Sequence, residues 1–162
     1  VMLSLTRKTH YALIALTHLA TSPEGRSSAR QIAATYHLPL PLLMNLLKQL
    51  TQQELVRSLR GPHGGYRLTL PPEQVTLTDV VRAVEGPIHV SQCVPDKAVS
   101  PEEDDAAVCV RMGHCPIRSS LELVHNRMIE YLDSITLADV INGNGETSRG
   151  HEPATEKRGV IS

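Results

Sequence analysis

Apolar residues recur along the chain at two different intervals, and the points where the interval changes mark its elements. Between residues 6 and 20, Ala12, Leu13, Leu16 and Ala20 stand three, four and seven apart, which predicts a helix with one buried face. His10, Ile14 and Thr17 lie along its flank, and Thr6 is placed to cap its first turn. Pro23, Gly25 and Ser27 break this pattern. Ser28 with Gln31 then forms a capping box, in which each side chain satisfies a backbone donor that the first helical turn leaves over, and a short helix is expected to about Tyr36. A third helix should start near Pro39 or Pro41, because proline is tolerated in a first turn where its missing donor is not needed. Leu42, Leu43, Leu46, Leu47 and Leu50 fill its inner face, which leaves Met44, Asn45, Lys48, Gln49 and Gln52 on the other side.

From Leu55 the interval shortens towards two. Apolar Val56, Leu59 and Leu68 are interleaved with Arg57, Arg60 and Arg67, and Gly61-Pro62-His63-Gly64-Gly65 lies between the two runs, so a half-buried hairpin is predicted. Three helices followed by a basic hairpin make a winged helix-turn-helix. After a second capping pair, Thr76 and Asp79, helical spacing returns. A long helix is predicted to open at Pro116, with Ile117, Leu121, Val124, Met128, Leu132 and Ile135 forming a near-heptad seam. Such a helix must bury its seam, and the favoured partner is a second copy of itself. Thr136 with Asp139 caps a last turn, Leu137 to Ile141. The fold class expected is therefore mainly α with a small β-hairpin wing. Its expected divisions are a DNA-binding domain over residues 1–86, a cysteine-containing loop over 87–116, a dimerisation helix with a short final helix over 117–142, and a disordered tail over 143–162.

Charge changes this picture more than composition does. The net charge of −1 hides an asymmetry: residues 1–70 carry eight Lys or Arg against two acids, and residues 71–162 carry eight against fifteen. A basic half joined to an acidic half suits a nucleic-acid module attached to a sensing or assembly module. The chain has no Phe and no Trp, so it lacks the large rings on which single-stranded bases stack, and double-stranded DNA is the expected partner. On the third helix, Asn45, Lys48 and Gln49 are residue types that reach phosphates and base edges in a major groove. Arg57, Arg60 and His63 are the corresponding candidates on the wing. No apolar run approaches the length of a membrane span.

All three cysteines, Cys93, Cys109 and Cys115, fall in one Pro- and acid-rich stretch. Three thiols cannot all pair, and the chain opens on no apolar signal segment, so a reduced cytoplasmic setting and a soft metal centre are expected. Pro116 directly follows Cys115, a common neighbour of iron-sulfur ligands, and Gly113 permits close approach of the backbone to an inorganic core. The same residues also admit a bland reading as small apolar side chains. They admit an enzymatic or metal-carrying one as well, in which His114 activates Cys115. Against the latter, the chain offers no glycine-rich phosphate loop.

Three segments carry a family resemblance: Thr9-His10-Tyr11-Ala12-Leu13, the glycine-rich wing from Arg60 to Leu68, and the run from Val75 to Gly86 that contains Asp79-Val80-Val81-Arg82-Ala83-Val84-Glu85-Gly86. Together they resemble the Rrf-type, IscR- and NsrR-like transcription regulators over roughly residues 2–142. The resemblance implies a homodimer that reads a palindromic operator and senses redox, iron or nitric oxide status. It implies an iron-sulfur cluster, 2Fe-2S in preference to 4Fe-4S, held by Cys93, Cys109 and Cys115. It also matches Arg60 to a wing arginine that enters the minor groove. His10 occupies the position at which NsrR-like members present an acidic ligand to the partner's cluster, so it is the favoured fourth ligand ahead of His89, His114 or a carboxylate of the acidic insert. The chain departs from the pattern at Arg118, where IscR-like proteins place a histidine, and in the long interval from Val94 to Val108 between the first two cysteines. A regulator of the same fold that holds no cluster and works by thiol chemistry is the alternative.

Overall fold

The computed structural model of the protein describes residues 6–61, 64–91, 94–96 and 114–143. The element order is α1 (Arg7–Thr21), α2 (Ala29–Tyr36), α3 (Leu40–Gln52), β1 (Val56–Leu59), β2 (Gly65–Leu68), a single 3-10 turn (Pro72–Gln74), α4 (Leu77–Glu85), α5 (Arg118–Asp133) and α6 (Leu137–Asn142). Each predicted cap is present. Thr6 accepts from the Lys8 amide, and Ser28/Gln31, Thr76/Asp79 and Thr136/Asp139 all form reciprocal capping boxes. The Thr136 amide and then its hydroxyl hold the Asp139 carboxyl below its ordinary range.

Between α2 and α3 the chain turns at His37, which takes a left-handed conformation (φ 52°) and donates its amide to the Ala33 carbonyl. Pro39 then caps α3, and Pro41 sits within its first turn. α3 packs against α1, α2, α4 and β1, so its leucines lie at the centre of the core. Leu16, Leu19, Ile32, Leu43, Leu46, Leu47, Leu50, Val56, Val75 and Val80 are all essentially inaccessible to solvent. The inner face of α1 is rotated slightly from the one expected. Ala15, Leu19 and the hydroxyl-bearing Thr9 are buried, whereas Leu13 and Ala20 are only half-buried.

The two strands pair antiparallel with Val56 opposite Leu68, Arg57 opposite Arg67, Ser58 opposite Tyr66 and Leu59 opposite Gly65. The hairpin is seated on the domain by a two-way backbone bridge, in which the Ser27 amide donates to the Tyr66 carbonyl (3.0 Å) and the Tyr66 amide to the Ser27 carbonyl (2.8 Å). A Cβ on Gly65 would lie 2.7 Å from the Ser27 carbonyl oxygen, so this contact requires glycine.

α5 departs from expectation in two respects. It opens at Arg118 rather than at Pro116, with Ile117 at its N-cap and no side-chain cap. Its apolar seam is also divided. α5 packs on α4, burying His125 and half-burying Leu121, Met128, Leu132 and Ile135, while Ile117, Val124 and Tyr131 stay more than half exposed at intervals of seven. Beyond α5 the chain returns to the first unit: the Leu77 amide donates to the Ile135 carbonyl and the Leu137 amide to the Val75 carbonyl, both at 2.8 Å. Leu137 joins the core, and α6 contacts α1. Of the tail expected to be disordered over residues 143–162, everything from residue 144 onward lies outside the described residues.

Candidate nucleic-acid interface and cysteine segment

The buried leucines of α3 dictate what its outer face can present. With Leu43, Leu46, Leu47 and Leu50 turned inward, Met44, Asn45, Lys48 and Gln52 project into solvent, and Gln49 is half-buried at the edge. Met44 stands exposed among these polar side chains. The left-handed turn at His37 joins α2 to α3, and the two helices pack on each other as in a helix-turn-helix.

The wing adds a second basic surface. Arg57 and Arg67 occupy directly opposed positions on the two strands and are both exposed. Like charges so paired are mutually unfavourable, and a polyanion bound there would relieve the repulsion. Arg60 follows β1 and is exposed as well. Between the wing and the α1–α2 connection, Glu24, Arg26, Leu59 and Arg67 line an open groove of about 440 Å³. Glu24 there pairs with Arg26 at 3.1 Å. His63 lies outside the described residues.

The cysteine segment is described at its two ends. At the far end Cys115 is half-buried with a free thiol, and its carbonyl accepts from the Arg118 amide as α5 begins. At the near end the residues following α4 are pinned down: the His89 ring nitrogen Nδ1 lies 3.2 Å from the Val94 carbonyl oxygen, and the Asp96 carboxylate engages Arg82. Cys93 and Cys109 lie outside the described residues. Among the described residues, no group of three His, Cys, Asp or Glu side chains is placed to hold a metal ion. His10 is exposed on α1, its ring edge-on to Tyr11, and His114 is exposed beside Cys115.

Three structural features escaped sequence reasoning. They are the Ser27–Tyr66 bridge that seats the wing, the Arg82–Asp96 pair, and the acceptance of two α1 hydroxyls, from Thr6 and Thr9, by Glu85. Arg82 and Glu85 both fall within the Asp-Val-Val-Arg-Ala-Val-Glu-Gly run, which was the available signal.

A recognition helix with a polar outer face, preceded by a supporting helix and followed by an arginine-bearing hairpin, defines a winged helix-turn-helix DNA-binding protein. Residues 5–143 match the family model described as "Rrf2: Iron-dependent Transcriptional regulator", and the chain belongs to that family. It is 31% identical over 150 residues to a protein of Haemophilus influenzae named as an HTH-type transcriptional regulator, covering 92% of this chain and 93% of the other. It is 32% identical over 141 residues to an rrf2-like HTH-type regulator of Rhodobacter capsulatus, covering 85% and 91%. Among solved structures, it is similar to CymR, the global cysteine regulator of B. subtilis (TM-score 0.67, 31% identity, 88% and 98% covered). It is likewise similar to T. potens IscR (TM-score 0.64, 29% identity, 93% and 95% covered). The relatives are thus named as transcriptional regulators rather than enzymes, and among the described residues no helix is long and apolar enough to cross a membrane.

Proposed function

We propose that this regulator acts as a homodimer that reads a palindromic operator and adjusts its grip according to redox, iron or nitric oxide status through an iron-sulfur cluster. The observation that carries the reading is the placement of the cysteines: all three fall in the one segment that joins α4 of the DNA-binding unit to the long helix α5, and Cys115 stands half-buried where that helix begins. Soft thiolates suit iron-sulfur iron, so the donor chemistry fits, and Cys93, Cys109 and Cys115 would hold the cluster with His10 completing the set. When bound, the cluster supplies a centre whose oxidation or loss changes how the segment is held. The protein's own residues do the rest: Asn45, Lys48 and Gln49 address the major groove, and Arg57, Arg60 and His63 the backbone and minor groove.

The second copy would lie against the stripe Ile117, Val124 and Tyr131, which α4 leaves exposed and whose spacing of seven suits helix pairing across a twofold axis. The likeness to a protein named a global cysteine regulator favours a second reading, in which the same three thiols respond without a cluster.

Anaerobic purification separates the two. A brown protein with visible charge-transfer absorption that is lost when any of the three cysteines becomes serine supports the cluster. A colourless protein that still shifts operator DNA supports the thiol reading. For the DNA interface, Arg60→Ala should weaken operator binding by about 1–3 kcal/mol and flatten its salt dependence, because one charged contact and its displaced counterions are removed. Unchanged affinity and salt slope would remove Arg60 from the interface.

A further inference from the structure

The Arg82–Asp96 ion pair lies outside the residues proposed to read DNA, and its two charged groups are joined by two hydrogen bonds. Asp96 is 2% exposed, and both of its carboxylate oxygens are engaged: Oδ1 accepts from Arg82 Nη2 at 2.8 Å, and Oδ2 from Arg82 Nε at 2.9 Å and from the Ile88 amide at 3.0 Å. One turn further along α4, Glu85 Oε1 accepts from the hydroxyls of Thr6 and Thr9, the latter at 3.0 Å. Thr6 is the N-cap of α1, and Thr9 is wholly buried within it. A single turn of α4 therefore holds the end of the cysteine segment on one side chain and the start of α1 on another.

We propose that these contacts form a polar relay through which the state of the cysteine segment reaches α1 and, through it, the DNA-binding surface. The relay rests on the reading that the cysteines sense, and it names the residues that transmit. Two physical features suit the role. Asp96 is three residues from Cys93 in the chain, a leash of at most about 10 Å, so a change in how Cys93 is bonded must either be absorbed within three residues or pull on the carboxylate. A buried, doubly bonded ion pair also does not stretch by degrees, because a half-broken pair leaves a buried charge uncompensated; it is made or it is not. A contact that is either made or broken is the kind of two-state element that coupling between distant sites requires. Arg82, Asp96 and Glu85 are thus positioning residues, acting on the DNA-binding surface through α4 and α1.

The test measures operator affinity of the full chain, reduced and after diamide, which oxidises thiol pairs to disulfides. The wild type should change affinity about tenfold or more between the two states. Asp96→Asn and Glu85→Ala should each bring that ratio to within about twofold, and the double variant should lose no more than either single one. A mere structural staple at Arg82–Asp96 would lower the melting temperature of Asp96→Asn while leaving the ratio intact in Glu85→Ala, and that result overturns the relay. A wild type whose affinity does not respond to diamide or to anaerobic loss of any bound iron overturns both the relay and the sensing reading, whereas a responding wild type with fully responding variants overturns the relay alone. If Asp96→Asn gives no cooperative melt, Arg82→Lys takes its place, and Glu85→Ala, altered at an exposed side chain, decides the outcome.

Discussion

Replacing Gly65 with alanine should unseat the wing. Gly65 has φ +155°, and a Cβ there would stand 2.7 Å from the Ser27 carbonyl oxygen and 2.9 Å from its carbon, atoms of the backbone that cannot rotate aside. The chain must give up either that conformation or the Ser27–Tyr66 bridge, whose two hydrogen bonds hold the hairpin against the start of α2. Strain and the lost bonds together are expected to amount to roughly 2–4 kcal/mol. Binding should suffer as well as stability, because Arg57, Arg60 and Arg67 are carried on the displaced element while the leucine core beneath α3 is untouched. The expected result is a protein with nearly native helical circular dichroism, a lowered melting temperature and operator affinity reduced at least as far as in Arg60→Ala. Wild-type affinity in this variant would mean that the wing does not depend on its seat.

What the sequence made legible was whatever is encoded locally. The capping pairs Ser28/Gln31, Thr76/Asp79 and Thr136/Asp139 are each three residues apart, and each marked its helix because the hydrogen bonds that cap a first turn lie within that span. The prolines about Leu40 placed the start of α3 for the same reason, and the Arg-Leu alternation marked both strands. Contacts that close over long separations left no such trace. Glu85 meets Thr6 and Thr9 across more than seventy residues, and Asp96 reads in the sequence as one more acid in an acid-rich stretch. α5 illustrates a different limit. Its apolar spacing was plain, but spacing records only that a face is apolar and not what covers it, so residues on the side of α5 that packs on α4 and residues that stay exposed both read as one seam. Thr9 misled in the opposite direction: a polar side chain on the buried face of α1, satisfied by Glu85, shifted that face away from the one its apolar residues described.

The neighbouring residues Leu47 and Lys48 offer the sharpest separation of fold from function. Leu47 is fully buried on α3, among leucines that pack against α1, α2, α4 and β1, so no flexible surface group can move in to fill the space left by truncation. Leu47→Ala should cost about 3 kcal/mol, from the lost burial of the side chain and the cavity that remains. In a chain of this size that corresponds to a drop of roughly 10 °C in melting temperature. Since a domain of this kind is stable by only about 5–15 kcal/mol, the variant should still fold at 25 °C, and its folded fraction should bind operator with close to native affinity. Lys48 is exposed one position further on, and Lys48→Ala should leave stability within about 0.5 kcal/mol while weakening DNA binding and reducing its salt slope by about one. Thermal melts paired with salt-dependent binding measurements on the two variants check both halves. If Leu47→Ala melts like the wild type, α3 does not sit in the core as described; if Lys48→Ala binds like the wild type at every salt concentration, the outer face of α3 is not the one that meets DNA.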